Sequence, residues 1–240
     1  MGDKLGLIIP TLNEEANIGT LLDRVRLNLD SAQIDYELLV VDDNSTDGTG
    51  AVVQEYAKSD PRIRLLVRTG SRGLAGAVIY GWSHTDANLL GVIDADLQHP
   101  PALLPALITA IQQGHDIVIA SRYSAGNGTP GWNPLRRAVS LASTWTTLPL
   151  QKARIRVSDP LSGFFVMRRA VITGVQLQPE GFKLLLEILV RGNICSAAEI
   201  PYHFGQRFGG KSKANLRVGL DYLVLLGRLS RTAILRSSSS

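Results

Sequence analysis

The chain has 240 residues, 45% of them hydrophobic and 19% charged, enough for one domain with a real core. A formal net charge of +4 suits a phosphorylated substrate or an anionic membrane surface. It is too small to argue for nucleic acid, and no basic block or interleaving of basic and aromatic residues occurs.

In chain order, the apolar run at residues 5–9 reads as a buried strand. Pro10-Thr11-Leu12-Asn13-Glu14-Glu15 follows it, and Ile18, Leu21, Leu22, Val25 and Leu29 recur at helical spacing. A second strand, 37–41, ends in Asp42-Asp43. The turn 44–49 then caps a helix carrying Val52, Val53 and Tyr56. A short strand at 63–67 leads to Arg72-Gly73-Leu74-Ala75-Gly76 and another helix. That loop departs from G-x-G-x-x-G, so its glycines read as close helix–sheet packing more than as a phosphate cradle. The strand 89–93 ends in Asp94-Ala95-Asp96-Leu97-Gln98. Pro100 and Pro101 open a helix near 102–113, and the strand 116–120 ends in Ser121-Arg122-Tyr123. This βαβα rhythm predicts an α/β fold with a mostly parallel sheet and helices on both faces.

The pattern loosens beyond residue 122. Residues 124–134, rich in Gly, Asn and Pro, read as a loop, either a lid or a plain surface excursion. Residues 135–150 and 182–191 read as helical, 159–167 as a turn into a strand and 196–204 as extended. The single cysteine, Cys195, excludes an intrachain disulfide framework and is expected to be a buried apolar residue. Residues 214–236 read as an amphipathic helix with Arg217, Asp221, Arg228 and Arg231 in one polar stripe. Such a helix is too apolar to stand free in water; it can pack on the domain, pair with another chain or lie in a membrane interface. The division expected is a catalytic domain over 1–213, the helix over 214–236 and a disordered tail over 237–240. No signal peptide is expected, and no stretch reaches the ~18 apolar residues of a spanning helix.

The chemistry concentrates at three strand ends, where open α/β sheets place their ligand crevices. Asp94 and Asp96, two residues apart, can share one hard cation, Mg²⁺ or Mn²⁺, with open positions left for phosphate oxygens. Gln98 adds a neutral oxygen. Two surface aspartates at a strand end would look the same by themselves. Asp42 and Asp43 can accept hydrogen bonds from ribose hydroxyls or a base; the alternative is that Asp43 or Asp47 caps the next helix. His99 is expected to be an exposed polar neighbour. The basic segment Arg207-Phe208-Gly209-Gly210-Lys211-Ser212-Lys213 can clamp a phosphate at a membrane surface. No zinc spacing or Ser-His-Asp order is present.

Taken together, Pro10 to Glu14, Val41 to Thr49, Asp94 to Pro100, Ser121 to Tyr123, Asp159-Pro160-Leu161-Ser162-Gly163-Phe164 and Arg207 to Lys213 resemble the family 2 glycosyltransferases of the GT-A fold. More narrowly they resemble the dolichol- or polyprenol-phosphate mannose synthases, over residue 5 to about residue 213. Leu12 and Phe165 stand where relatives often carry other residues. The resemblance implies that Pro10, Asn13, Glu14, Asp42 and Asp43 line the nucleotide-sugar pocket together with Asp94 and Asp96. It implies that Asp94, Asp96 and Gln98 hold the metal, and that Arg122, Arg136, Ser140, Arg207 and Lys211 bind the acceptor phosphate. Asp96, Arg122 and Arg207 would carry catalysis. The expected reaction is metal-dependent, inverting transfer of a hexose, mannose from GDP-mannose, to dolichyl or polyprenyl phosphate. The alternatives are a UDP-glucose (or other UDP-sugar) donor and a non-catalytic nucleotide-sugar-binding membrane module. The implied setting is peripheral, on the cytoplasmic face of a membrane, with or without an anchoring partner subunit.

Overall fold

The computed structural model describes residues 2–70, 72–123, 144–151, 155–178, 183–202 and 226–230. Its first half alternates as the periodicity predicts: β1 (Lys4–Thr11), α1 (Glu15–Ser31), β2 (Asp35–Asp42), α2 (Thr49–Ser59), β3 (Ile63–Val67), α3 (Leu74–Trp82), β4 (Leu89–Val92), α4 (Leu104–Gln112) and β5 (Ile117–Ser121). The second half adds β6 (Phe165–Arg168), α5 (Leu184–Arg191) and β7 (Ala197–Pro201).

The strands form one seven-stranded sheet in the order β3-β2-β1-β4-β6-β5-β7. β1 runs parallel to β2 and β4, β2 to β3, and β5 to β7. β6 departs from that pattern, lying antiparallel between β4 and β5. The sheet is therefore mixed, though mostly parallel. An apolar run marks a strand, but nothing local to it sets its direction. Here the long connection from β5 lets β6 enter from the opposite end of the sheet.

Period-two alternation sorts the strand side chains onto two covered faces. Leu5, Leu7 and Ile9 of β1, with Leu38 and Val40 of β2, meet Ile18, Leu21, Leu22, Val25 and Leu29 of α1. These are the residues whose spacing predicted that helix, and all are fully buried. Ile8, Leu39 and Val41 point to the other face, where α3 and α5 pack. Burial of such a side chain contributes roughly 1.5–3 kcal/mol, so each face is held by many comparable terms.

Two glycines set how closely the layers approach. A methyl group on Gly81 of α3 would lie 2.9 Å from two carbons of Ile8 and 3.0 Å from Val41. One on Gly91 of β4 would lie 2.8 Å from Leu7. The sequence pointed to close helix–sheet packing at the glycines that open this helix; Gly76 is buried there, and Gly81 at its end makes the close approach to Ile8 and Val41.

Of the predicted C-terminal helix only 226–230 lies among the described residues, and it is helical. Leu229 is fully buried there in a small cluster with Leu150, Leu186 and Val190. Arg228 donates to Gln178 Oε1 at 3.1 Å. This turn packs on the domain, across the outer side of α5. Among the described residues no helix is long and apolar enough to cross a membrane. Cys195 is exposed rather than buried, because it sits in the turn entering β7, where its backbone N–H binds Asp116 Oδ2 at 2.7 Å.

Gly81→Ala tests the packing of α3. Ala gains up to about 1 kcal/mol of helix propensity, while overpacking costs about 1–3 kcal/mol. The expected outcome is a net loss of about 1 kcal/mol in urea denaturation, read as a lower midpoint with an unchanged slope.

Candidate active site

Three parallel strands end side by side, and each releases its chain through a left-handed residue. Asn13 follows β1 with φ 56°, Asn44 follows β2 with φ 60°, and Leu97 follows β4 with φ 61°. Asn tolerates this region because its short polar side chain bonds locally; Leu does not, and its presence there is a strained turn. That turn directs the Gln98 backbone N–H onto Asp96 Oδ1 at 3.2 Å.

Between these ends lies a cavity of ≈ 390 Å³ lined by Pro10, Thr11, Leu12, Glu14, Asp43, Arg72, Gly73, Leu74, Ala77, Asp94, Ala95 and Asp96. Asp94 and Asp96 face the same space. The Asp94 side chain keeps 31% of its exposure. Gly163 backs it so closely that a methyl group there would overlap the carboxylate. Two carboxylates lining one open cavity fit one Mg²⁺ or Mn²⁺ that would take its remaining ligands from substrate and water. Among the described residues no third His, Cys, Asp or Glu completes a closed cage. The predicted third ligand, Gln98, is not part of the cavity wall.

The second acidic pair divides its work. Asp42 lies beneath the wall, 4% exposed. Its Oδ2 accepts the Ser45 N–H at 3.1 Å, and its Oδ1 accepts the hydroxyls of Ser45 and Thr11. It closes its own turn. Asp43 lines the cavity; its Oδ1 binds Arg68 Nη1 at 2.6 Å and its Oδ2 accepts the Gly73 N–H at 2.7 Å. Neither caps α2, whose N-cap is Gly48 with no side-chain cap bond; Asp47, one residue earlier, accepts the Thr49 N–H at 3.0 Å and also the Glu15 N–H. Asn13 ties two loops together: its N–H binds Ser45 Oγ, and its side-chain oxygen accepts the Thr46 N–H, both at 2.8 Å. Glu14 lines the cavity and accepts from Asn17 Nδ2 at 2.8 Å.

Arg122 leaves the end of β5 and forks onto Asp159. Nε and Nη2 each donate to a carboxylate oxygen at 2.7 Å, and the backbone N–H adds a third bond at 3.1 Å. Asp159 is fully buried. Burial works against the Arg122 charge, but the bonds to Asp159 and its field outweigh it and leave the guanidinium more firmly protonated than usual. Arg136, Ser140, Arg207 and Lys211, and the loop over 124–134, lie outside the described residues.

Lys183 escaped the sequence reading. It directly precedes α5 and shares the electrostatic neighbourhood of Arg122, Asp94 and Asp159. Burial, and then repulsion from Arg122, push its pKa down to about 8, against the pull of Asp94 and Asp159. The available signal was a lysine set directly before the apolar run Leu184-Leu185-Leu186. A larger cavity, ≈ 540 Å³, lies at the opposite end of β4, lined by residues such as Ile79, Trp82, Arg169 and Arg191. It carries no carboxylate, and Arg169 donates to the carbonyl oxygens of Ala87 and Thr85; the chemistry belongs to the smaller cavity.

Solved structures share this architecture. Glucosyl-3-phosphoglycerate synthase from Mycobacterium tuberculosis, in complex with Mn²⁺, UDP-glucose and phosphoglyceric acid, superposes with a TM-score of 0.71 at 19% identity, covering 97% of this chain and 80% of that one. Mannosyl-3-phosphoglycerate synthase from Rubrobacter xylanophilus superposes with a TM-score of 0.69 at 18% identity, covering 99% and 75%. At these identities the likeness is one of fold, a GT-A-like α/β fold. The family model described as Glycosyl transferase family 2 matches residues 7–174, and the chain belongs to that family. Within it, the chain groups with the dolichol-phosphate mannosyltransferases. That of Pyrococcus furiosus is 40% identical over 229 residues, 95% of this chain. That of Saccharomyces cerevisiae is 33% identical over 239 residues, 95% of this chain and 88% of the yeast protein. That of Mycosarcoma maydis is 33% identical over 234 residues. The chain spans 64% of the length of the Pyrococcus relative.

Two measurements check this electrostatic account. Asp159→Ala strands the Arg122 charge in the interior and is expected to cost about 3–5 kcal/mol of stability, read by urea denaturation. Lys183 carries the opposite sign of effect. An unfolded chain keeps it protonated up to about 10.5, whereas the folded site releases that proton near 8. The folded state thus bears a penalty below pH 8 that fades as the pH climbs toward 10.5. In metal-free protein, Lys183→Met is expected to stabilise by on the order of 2 kcal/mol at pH 7 and by little near pH 10; equal effects at both would refute the shift.

Proposed function

We propose that this chain transfers mannose from GDP-mannose to dolichyl or polyprenyl phosphate, with inversion at the anomeric carbon. The observation that carries the reading is the shared cavity of Asp94 and Asp96, set among the strand ends of a nucleotide-sugar fold. The dolichol-phosphate mannosyltransferases it resembles supply the sugar and the lipid class.

The residues divide the task by charge. Pro10, Thr11, Glu14 and Asp43 form the wall on which the nucleoside sits, with Asp43 oriented by Arg68 and Gly73. Asp94 and Asp96 hold the divalent cation, which neutralises charge on the departing diphosphate. Gln98, beside them in the chain, is the proposed third oxygen. Arg122 and Lys183 put positive charge on the far side of Asp94, where an acceptor phosphate must approach; Arg136, Ser140, Arg207 and Lys211 are assigned to the same phosphate.

The chemistry needs no general base. A phosphate monoester is already ionised at neutral pH, so one of its oxygens attacks C1 directly. The C1–O bond to the diphosphate breaks, and GDP leaves with the electron pair. No proton has to move. Among the described residues, the histidine beside the carboxylates is His99, and both its ring nitrogens are engaged by protein groups. A lipid-borne acceptor brings the enzyme to a membrane surface, and residues 214–236, read from the sequence as an amphipathic helix, are the proposed contact, with an anchoring partner as a further means.

A donor panel tests the reading: GDP-mannose, UDP-glucose and UDP alone, each with a short polyprenyl phosphate and Mn²⁺ or Mg²⁺. The expected product is polyprenyl-phosphate mannose from GDP-mannose, lost by 10²-fold or more in Asp96→Asn, since a metal contributes several kcal/mol to such a transition state. Glucose transfer in its place would reassign the donor, and full activity in Asp96→Asn would remove the metal site.

A further inference from the structure

His99 directly follows Gln98, and from sequence it is expected to be an exposed bystander. In the structure it is 3% exposed. Its ring packs edge-on against Phe164, with centroids 5.6 Å apart at 62°. Both nitrogens have protein partners. Nε2 lies 3.3 Å from Asp94 Oδ2, and Nδ1 lies 2.7 Å from the Tyr202 hydroxyl.

A carboxylate accepts, so Nε2 is the ring nitrogen that donates to Asp94, and the Tyr202 hydroxyl holds Nδ1 from the other side. The chain of bonds links Tyr202 through His99 to Asp94. Its far end is rigid. Tyr202 directly follows β7, is 8% exposed, and its backbone N–H binds Ser121 O on β5 at 3.0 Å. At the near end, Gly163 leaves room for the Asp94 carboxylate on the side where any larger residue would displace it.

We propose that His99 is a positioning residue that holds the Asp94 carboxylate in its cation-binding orientation, and that Tyr202 sets His99 for that task. The inference rests on the reading of Asp94 and Asp96 as metal ligands. A free carboxylate loses rotational freedom when it binds a cation, whereas one already hydrogen-bonded at Oδ2 has lost most of it. Groups that orient a metal ligand in this way typically change metal affinity by 10–100-fold when removed. The link also ties the carboxylate to the end of β7, from which the chain continues toward Arg207 and Lys211. A histidine serving only to fill space would give none of these effects.

The experiment measures Mn²⁺ affinity by electron paramagnetic resonance in the presence of GDP, using the full chain. His99→Gln and Tyr202→Phe each keep most of the buried volume, and urea denaturation confirms that each is folded. The expected result is about 10–100-fold weaker Mn²⁺ binding in His99→Gln and about threefold weaker in Tyr202→Phe, with the second change adding nothing in the His99→Gln background. Metal-free GDP binding stays at the wild-type level in all three. Asp96→Asn separates the two readings. If it abolishes Mn²⁺ binding while His99→Gln and Tyr202→Phe bind as wild type, the positioning role is overturned and the metal site stands. If Asp96→Asn itself binds Mn²⁺ normally, both fall together. Additive losses from His99→Gln and Tyr202→Phe would overturn the relay by showing that the two act separately.

Discussion

A parallel sheet covered by helices on both faces has nowhere to put polar chemistry except at its ends. β1, β2 and β4 are apolar along both faces because both are buried, by α1 on one side and α3 on the other. Asp42 closes β2 and Asp43 follows it, Asp94 and Asp96 follow β4, and the parallel pairing of β2 and β4 with β1 brings them to one edge. The crevice follows from the burial of the sheet.

That edge is organised by neutralisation. Almost every carboxylate near it is hydrogen-bonded before any ligand arrives. Asp42 is spent on Ser45 and Thr11, Asp43 on Arg68 and Gly73, and Asp159 on Arg122. Asp94 retains exposure and has a histidine on one oxygen. Asp96 accepts a backbone N–H and lines the cavity. Asp94 and Asp96 are the pair proposed to hold the cation. Lys183 fits the same logic in reverse. Burial lowers its pKa, yet at about 8 it stays largely charged at neutral pH and adds to the positive charge of Arg122.

A glycosyl transfer to a phosphate asks for this balance. The nucleophile arrives charged, the leaving group departs charged, and no proton links them. What the protein supplies is a fixed distribution of charge in a shaped cavity. Rigidity then matters more than proton transfer. Hence the roles here of a strained turn at Leu97, a glycine behind Asp94, and a histidine whose nitrogens both serve as props. The close approach of α3 through Gly81 belongs to the same design, since α3 begins at the cavity wall.

The sequence by itself determined the strand–helix alternation, the buried stripe of α1, the strand ends as the seat of the chemistry and the Asp94–Asp96 pair. These are local facts: periodicity of two or 3.6 and polar residues just past an apolar run survive in one dimension. Tertiary structure alone decided the antiparallel course of β6, the exposure of Cys195, the burial of His99 and the turn-closing role of Asp42. It also brought Lys183 beside Asp94, Arg122 to Asp159 thirty-seven residues away, and Tyr202 to His99 across more than a hundred. Such pairings depend on which strands become neighbours. That order is set by burying both faces of the whole sheet at once, and no window of sequence contains it.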